Sequence, residues 1–171
     1  MPIINYKTDT TKGMYQLVNS QKYRSPRPPI YKSGWELKLF VTFDTNPFIE
    51  AWGYEPIEIY YYHPIYQKWS VYYPDFFIVK KSQSGRLQPT LIEVKPDKFT
   101  KPPKQPKPPT KGSIQAAERY QRSLARYQAN QNDFAINCAK WQAAQSWCLK
   151  NSVEWCIISE KNVSGFFKQA I

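Results

Sequence analysis

Hydrophobic positions in the first half of the chain predict one helix followed by strands. Trp35, Leu39 and Phe43 recur at helical spacing, so the sequence predicts a first helix that opens at Ser33 and ends near an Asp-Thr-Asn-Pro turn. From residue 57 to residue 80, two runs rich in aromatic and β-branched residues flank a proline-containing turn, which is typical of a β-hairpin. The tyrosine runs within it are interpreted as sheet faces rather than as platforms that stack against bases.

The second half of the chain predicts a strand, a long helical segment and a final strand. Residues 90–95 (TLIEVK) form a short apolar run, and residues 113–150 contain neither glycine nor proline. A break between two helices is expected where three polar residues cluster, namely Asn130, Asn132 and Asp133. Residues 153–159 (VEWCIIS) have the profile of a buried strand. The predicted fold class is α/β, with a small mixed sheet of about four strands, part antiparallel and part parallel, flanked by helices.

The length and charge of the chain limit how many domains it can form and which partners it favours. With 171 residues, a single domain is expected, assigned to residues 33–160, with an extended basic arm over residues 1–32 and a tail over residues 161–171. The formal net charge of +11 favours an anionic partner such as a nucleic acid. No stretch of about 18 consecutive apolar residues occurs, so we expect no membrane insertion and a cytoplasmic location.

A proline- and lysine-rich segment occupies residues 96–112 within the predicted domain. It holds six prolines and five lysines with one acid, a composition typical of an extended, polyproline-like chain. We expect its lysines to contact the DNA backbone through charge, without reading its sequence. An equally supported alternative is a semi-rigid connection to the helix, or an arm that docks on another protein. The lysines are Lys98, Lys101, Lys104, Lys107 and Lys111.

Charged residues interrupt two of the apolar runs and indicate a metal-binding, catalytic site. Pro74 disfavours a central strand position, so the strand that holds it should be bulged, bent or at an edge. Glu93 and Lys95 lie two positions apart and face the same side of their strand, and an adjacent strand about 4.8 Å away could bring Asp75 close to Glu93. Two such carboxylates favour Mg²⁺, with Mn²⁺ as an alternative, and Lys95 suits phosphodiester hydrolysis. A structural salt-bridge cluster is the alternative.

Two sequence stretches carry a family resemblance. "YYPDFFIV" followed by "LIEVKP" resembles the PD-(D/E)xK signature of metal-dependent nucleases, which is shared by restriction enzymes, phage junction resolvases and transposon-encoded endonucleases. From about residue 20 to residue 160, the chain also resembles the head-completion nucleases of tailed bacteriophages. "YKSGWELKLFVTFDTNPFIEAWGYEPIEIYY", the proline-lysine segment after the signature and "NCAKWQAAQSWC" carry this second resemblance. It implies a restriction-endonuclease-like core.

The resemblance implies roles for four residues of this chain. Asp75 and Glu93 match the metal-binding acids, and Lys95 matches the catalytic lysine. Glu36 matches an acid that many nucleases of this fold add to the site. The S-x-x-E stretch that starts at Ser33 also fits a helix capping box, so both interpretations of Glu36 stay open. Two further acids are alternative candidates for the added position, Glu55 and Glu58.

The resemblance also implies a biological role. A Mg²⁺-dependent DNA endonuclease would cut or trim packaged DNA and prepare filled phage heads for tail attachment. Its partners would be the DNA backbone and the phage portal and neck proteins, and it would lie in the cytoplasm of the infected host cell or in the head-tail neck of the virion. Two alternatives stay open: a structural head-tail joining protein that has a nuclease fold, and a junction-resolving or transposition endonuclease.

Overall fold

The computed structural model describes residues 12–110 and 112–168. Its helices are α1 Gly34–Thr45, α2 Ile114–Asn151 and α3 Val163–Lys168. Its strands are β1 Gly13–Met14, β2 Ile30–Tyr31, β3 Ile49–Tyr54, β4 Ile59–His63, β5 Lys68–Tyr72, β6 Phe76–Lys81, β7 Leu87–Val94 and β8 Glu154–Ile158. Short 3-10 turns occur at Ser20–Lys22 and Asp97–Phe99. The tail predicted after residue 160 therefore contains a short helix.

A four-stranded mixed sheet in the order β3-β6-β7-β8 forms the centre of the fold. Strand β6 is antiparallel to both β3 and β7, whereas β8 is parallel to β7 and pairs Cys156 with Ile92. The parallel pair follows from the connection through α2, because a chain that crosses over on a helix returns in the same direction. The predicted mixed sheet of four strands flanked by helices is thus confirmed.

The two faces of this sheet are covered by different elements. Helix α1 packs Leu39, Phe40 and Phe43 against one face, in a core cluster with Trp52, Tyr54, Phe76, Ile78, Ile92 and Ile158. Helix α2 covers the other face, where Ala144 and Cys148 pack with Leu91 and with residues of the β4–β5 hairpin. Successive residues of β7 point to opposite faces, so Ile92 faces α1 whereas Leu91 and Glu93 face α2.

Helix α2 is one continuous element of 38 residues. The predicted break near Asn130, Asn132 and Asp133 is wrong, because these residues lie within the helix. Asparagine and aspartate each cost at most about 0.7 kcal/mol relative to alanine inside a helix, which is far less than proline costs. A segment without glycine or proline can therefore continue through them, and the Ser113 hydroxyl caps its start by accepting the Ala116 N–H at 3.1 Å.

The predicted hairpin at residues 57–80 is correct in part. Strands β4 and β5 form a separate two-stranded sheet that pairs Tyr62 with Trp69. The second aromatic run is divided at Tyr73-Pro74-Asp75, after which β6 enters the central sheet. Because Pro74 has no N–H to donate, strand pairing stops there and the chain changes sheets. The expected irregularity at Pro74 is therefore a break between two strands.

Strand β3 was not predicted, and β7 starts three residues earlier than expected. In β3, Ile49, Trp52, Gly53 and Tyr54 are buried, so the strand lacks the alternation that marks a half-exposed strand. Gly53 is needed for packing, since a Cβ there would lie 2.9 Å from the carbonyl oxygen of Arg24. The sequence signal of β3 is weak because its register shifts between Ile49 and Ala51 and its last three residues are all buried.

The described part of the predicted N-terminal arm lies against the domain. Strands β1 and β2 pair with each other, and the side chains of this segment that pack on the α1-side core are Tyr15, Leu17, Tyr23 and Tyr31. Asp44 at the end of α1 accepts hydrogen bonds from the Tyr15 hydroxyl at 2.9 Å and the Val18 N–H at 2.7 Å. Residues 1–11 of the predicted arm lie outside the described residues.

Candidate active site

Asp75, Glu93 and Lys95 meet at one end of the central sheet. Strand β6 pairs Phe76 with Ile92, so the register, continued by one residue, sets Asp75 opposite Glu93. Lys95 directly follows β7, and its backbone N–H donates to the carbonyl oxygen of Ile158 at 2.9 Å, which continues the pairing with β8. The break at Pro74 and the ends of two neighbouring strands thus place the three predicted residues together.

Asp75 is held by the backbone of the neighbouring strand. Its Oδ2 accepts the Val94 N–H at 2.7 Å. Burial raises the pKa of the Asp75 carboxyl well above its usual range, and the negative charges of Glu93 and Glu36 raise it further, while the Val94 hydrogen bond and Lys95 oppose this rise. The surroundings therefore disfavour the charged form of Asp75, and a bound cation would stabilise that charged form.

Glu93 is buried, at 4% exposure, and both of its carboxylate oxygens have partners. Oε2 accepts a hydrogen bond of 2.5 Å from the Tyr72 hydroxyl, and Oε1 lies 3.1 Å from Nζ of Lys95. Burial, followed by the charge of Glu93, raises the pKa of Tyr72, so this hydroxyl remains a donor at neutral pH. One face of the Tyr72 ring is 5.5 Å from the Lys140 ammonium.

Tyr72 is a site residue that sequence reasoning missed. It ends β5, in the small sheet, and it reaches Glu93 across 21 positions of sequence. No spacing rule connects a residue of one sheet with a residue of another. The available signal was its position two residues before the Pro-Asp pair, in a run that had to break at proline.

Glu36 lies in the first turn of α1 and is close enough to affect the site. Its N–H donates to the Ser33 hydroxyl at 3.1 Å, as a capping box requires, but its carboxylate accepts the N–H of Lys32 rather than that of Ser33. Burial raises the pKa of the Glu36 carboxyl. The charge of Glu36 also raises the pKa of Asp75, so capping and proximity to the site occur together.

The two alternative acids have other partners. Glu55 forms ion pairs with Arg27 at 2.7 Å and with Lys32 at 2.9 Å. Glu58 accepts a hydrogen bond of 2.8 Å from the Tyr73 hydroxyl. Their charges are therefore used by neighbouring side chains, and Glu36 is the candidate whose charge reaches Asp75.

The predicted DNA-binding lysines start beside the site and continue along α2. Lys98 lies 4.5 Å above the Phe99 ring, and Lys101 forms an ion pair of 2.9 Å with Asp97. Lys104 and Lys107 are exposed, and Lys111 lies outside the described residues. Between this segment and α2 runs a groove of about 370 Å³, to which Lys98, Lys101, Lys104 and Arg126 contribute.

The donor set at the site fits a hard cation with few protein ligands. Among residues 12–110 and 112–168 there is no group of three or more His, Cys, Asp or Glu side chains that could hold a metal. The Asp75 and Glu93 pair agrees with Mg²⁺, which is commonly bound by one or two carboxylates together with water and substrate phosphates. Burial first, and then the charge of Glu93, raises the pKa of Asp75 although Lys95 lowers it, so a cation between the two carboxylates would favour their charged forms.

The mixed sheet, its flanking helices and the acids at its end define the restriction-endonuclease-like class of nuclease folds. Residues 46–160 match the family described as TnsA-like endonuclease, N terminal. The chain therefore belongs to the TnsA-like endonuclease family. It is also 34% identical over 149 residues to the "Head completion nuclease" of Enterobacteria phage T4, an alignment that covers 86% of this chain and 90% of that protein. The resemblance to head-completion nucleases is thus confirmed.

No solved structure matches the chain. Within the part of the chain that the structure describes, no helix is both long enough and apolar enough to span a membrane.

Proposed function

We propose that the protein is a DNA endonuclease that requires Mg²⁺, or Mn²⁺ in its place, and that acts during phage head completion. The observation that carries this proposal is the meeting of Asp75, Glu93 and Lys95 at the end of β6 and β7. Membership of an endonuclease family supports the reaction class. A relative named for head completion, aligned over most of both chains, supports the biological setting.

Each side chain would contribute a distinct interaction. Asp75 and Glu93 would hold the cation, which when bound would polarise water and neutralise phosphate charge. Lys95 lies 3.1 Å from Glu93, so its ammonium is positioned to stabilise negative charge that builds on the scissile phosphate. Tyr72 would keep the Glu93 carboxylate oriented through its short hydrogen bond.

The biological part of the proposal extends the printed name of the relative. The enzyme would cut or trim packaged DNA and prepare filled heads for tail attachment, in the cytoplasm of the infected host cell or in the head-tail neck. Portal and neck proteins would be its protein partners, and the lysines from Lys98 to Lys107 would contact the DNA backbone. A purely structural joining role and a role in junction resolution or transposition are the competing functions.

Cleavage of supercoiled plasmid in the presence of Mg²⁺ tests the proposal. The wild-type protein should nick or linearise the plasmid, and EDTA should stop the reaction. Asp75→Ala, Glu93→Ala and Lys95→Ala should each lower the rate by more than about a hundredfold, since changes in groups that merely support a metal ligand already cost 10- to 100-fold.

The matched controls are Glu50→Ala and Lys81→Ala, an exposed ion pair at 4.0 Å whose Lys81 ends β6 at the opposite end from Asp75. They should cleave at the wild-type rate. A wild-type protein that leaves plasmid intact would refute the hypothesis that the protein is an endonuclease and would favour the structural role. Nicking that survives all three site substitutions would refute the site, and much faster cleavage of a four-way junction than of duplex would favour junction resolution.

A further inference from the structure

The β4–β5 hairpin presents aromatic rings to solvent on the face that the core does not use. Its inner face packs Ile59, Tyr61 and Tyr72 into the α2-side core. On its outer face, Tyr60 is 62% exposed, Tyr62 is 51% exposed and Trp69 is 69% exposed. Exposed single hydrophobic residues are common, but a row of large rings on paired strands is a feature typical of a binding surface.

Four aromatic residues, three in the hairpin and one directly after it, are here termed the aromatic strip: Tyr60, Tyr62, Trp69 and Tyr73. Tyr62 and Trp69 are cross-strand partners with ring centroids 5.8 Å apart in an edge-on arrangement. The Tyr62 hydroxyl donates to the Gln67 carbonyl oxygen at 2.8 Å, and the Tyr73 hydroxyl donates to Glu58 at 2.8 Å. Hydrogen bonding to Glu58 raises the pKa of both Tyr60 and Tyr73, so these two rings share one anchor.

The strip ends beside the candidate active site. Tyr73 lies two residues before Asp75 and one residue after Tyr72, whose hydroxyl bonds to Glu93. The guanidinium of Arg27, which also forms the ion pair with Glu55, lies 3.9 Å above the Tyr73 ring at this end. A molecule bound along the strip would therefore reach the chain segment that carries Asp75.

One charged residue of each sign borders the rings on the side of α2. A groove of about 500 Å³ runs along the hairpin beside α2, and its lining includes Tyr60, Tyr62, Trp69, Glu58 and Lys150. Glu58 is engaged by the hydroxyl of Tyr73, so Lys150 is the cation of this groove. Flat rings with cations at their borders suit a ligand that combines π faces with negative charge, and nucleic acid bases on a phosphate backbone have this combination.

The spacing of the rings distinguishes paired from unpaired DNA. Two residues apart on one strand, Tyr60 and Tyr62 are separated by roughly 6.6 Å, whereas stacked bases along one strand of a duplex are about 3.4 Å apart. Successive rings can therefore contact successive bases only when those bases are unstacked. The tyrosine runs lie on a sheet, as the sequence pattern indicates, and the exposure of their outer rings leaves them open to a ligand.

We infer that the aromatic strip binds unpaired bases next to the cleaved bond, so that the substrate class is DNA with a single-stranded stretch beside the site. This inference rests on the proposed nuclease function and deepens it. Tyrosine and tryptophan also occur in protein interfaces. Continuity with the active site and the flanking cations favour DNA over a protein partner, which the experiment includes as an outcome.

Binding without cleavage tests the inference. Fluorescence anisotropy in EDTA, with the full-length protein, compares labelled oligothymidylate with a blunt duplex of the same length. The wild-type protein should bind the single strand more tightly. Tyr62→Ala combined with Trp69→Ala should weaken single-strand binding by about tenfold or more, because each base-ring stack contributes on the order of tenfold in affinity, and duplex binding should change by less than about twofold.

Two control variants keep the result specific. Tyr66→Ala removes an exposed ring from the turn of the same hairpin, where it stacks on His63 at 4.4 Å, and it should bind the single strand like wild type. Trp69→Phe retains a ring and should keep most of the affinity. Circular dichroism spectra that match wild type would establish that the double variant is folded.

An unchanged single-strand affinity in the double variant overturns the inference and leaves the strip as a surface for protein. An equal loss on single strand and duplex also overturns it, because charge alone would then explain binding. Binding is measured without metal, so the result does not depend on catalysis. A protein that cleaves plasmid while its double variant binds normally refutes this inference alone, whereas failure of the plasmid assay refutes the proposed function.

Discussion

Two aspartates, Asp44 and Asp75, lie in different regions of the molecule with different surroundings. Asp44, at the end of α1, has no exposed surface and accepts hydrogen bonds from the Tyr15 hydroxyl and the N–H groups of Val18 and Asn19. Asp75, at the end of the sheet, accepts the Val94 N–H and faces another carboxylate, that of Glu93. One aspartate is surrounded by donors, and the other lies beside a like charge.

The difference separates a structural acid from a functional one. A buried carboxylate with donors for both oxygens compensates for the cost of leaving water, and it joins the N-terminal segment to α1. Two neighbouring carboxylates at a sheet end instead repel each other until a cation binds. Natural proteins accept such local destabilisation at working sites, so the contrast between Asp44 and Asp75 can be tested through stability and activity together.

The largest effect is expected at Asp44. Asp44→Ala leaves two backbone N–H groups and one hydroxyl without their acceptor, and each hydrogen bond to a charged group contributes about 1.5–3 kcal/mol. We expect a loss of about 3 kcal/mol or more in the free energy of unfolding, measured by urea denaturation. Asp133→Ala, at an exposed position of α2, should change it by less than about 0.5 kcal/mol. Equal stabilities of the two variants would contradict a structural role for Asp44.

A smaller and purely functional effect is expected at Tyr72. Tyr72→Phe removes the hydrogen bond that orients Glu93 and should lower the plasmid cleavage rate by about 10- to 100-fold, the range for groups that support a metal ligand. The concentration of Mg²⁺ that gives half-maximal rate should rise, a change that a merely structural tyrosine would not produce. The measurement is a Mg²⁺ titration of the cleavage rate.

Tyr61→Phe is the matched control for Tyr72. Tyr61 is buried at 5% exposure in the same α2-side cluster, and its ring lies 5.7 Å from the same Lys140 ammonium. Its loss of a hydroxyl should leave the Mg²⁺ titration unchanged. If both variants lose activity to the same extent, the effect belongs to the packing of the hairpin and the positioning role of Tyr72 is wrong.

Much of the fold could be predicted because its signals are local. The first helix is marked by its Ser33 cap and apolar spacing, and β7 and β8 are marked by short apolar runs. Strand β3 was missed because a register shift and three consecutive buried residues remove the alternation of a half-exposed strand. The absence of a break in α2 could not be read from Asn130, since weak helix formers are tolerated in a long helix.

The site could be predicted only as far as spacing and resemblance reach. Asp75, Glu93 and Lys95 were identified by a short signature, and the register then brings them together. Tyr72 required knowledge of how the small sheet sits against the central one, which no periodicity contains. Glu36 illustrates an ambiguity that the structure retains, because one carboxylate both bonds to the backbone of Lys32 and raises the pKa of Asp75.

The smallest change in the free energy of unfolding is expected for a substitution of Asp75, and its sign is opposite to that of the change at Asp44. Burial and the charge of Glu93 raise the pKa of Asp75 in the folded state. At pH values between the unfolded pKa and this raised pKa, the native state therefore binds more protons than the unfolded state. The free energy of unfolding falls as pH increases through that window. Asp75→Asn can still accept the Val94 N–H but carries no charge. Without divalent cations at neutral pH, it should therefore raise the free energy of unfolding by about 1 kcal/mol, a few degrees in Tm.

Thermal denaturation with and without Mg²⁺ completes this comparison of the two aspartates. Mg²⁺ should raise the Tm of the wild-type protein and should have much less effect on Asp75→Asn, because a ligand that binds the native state stabilises it by an amount that grows with its affinity. Asp44→Asn is the matched control: it loses the charge that the surrounding donors favour, so it should lower the Tm under both conditions. A lower Tm for Asp75→Asn in EDTA would mean that Asp75, like Asp44, is a structural acid, and that the sheet end is a salt-bridge cluster rather than a cation site.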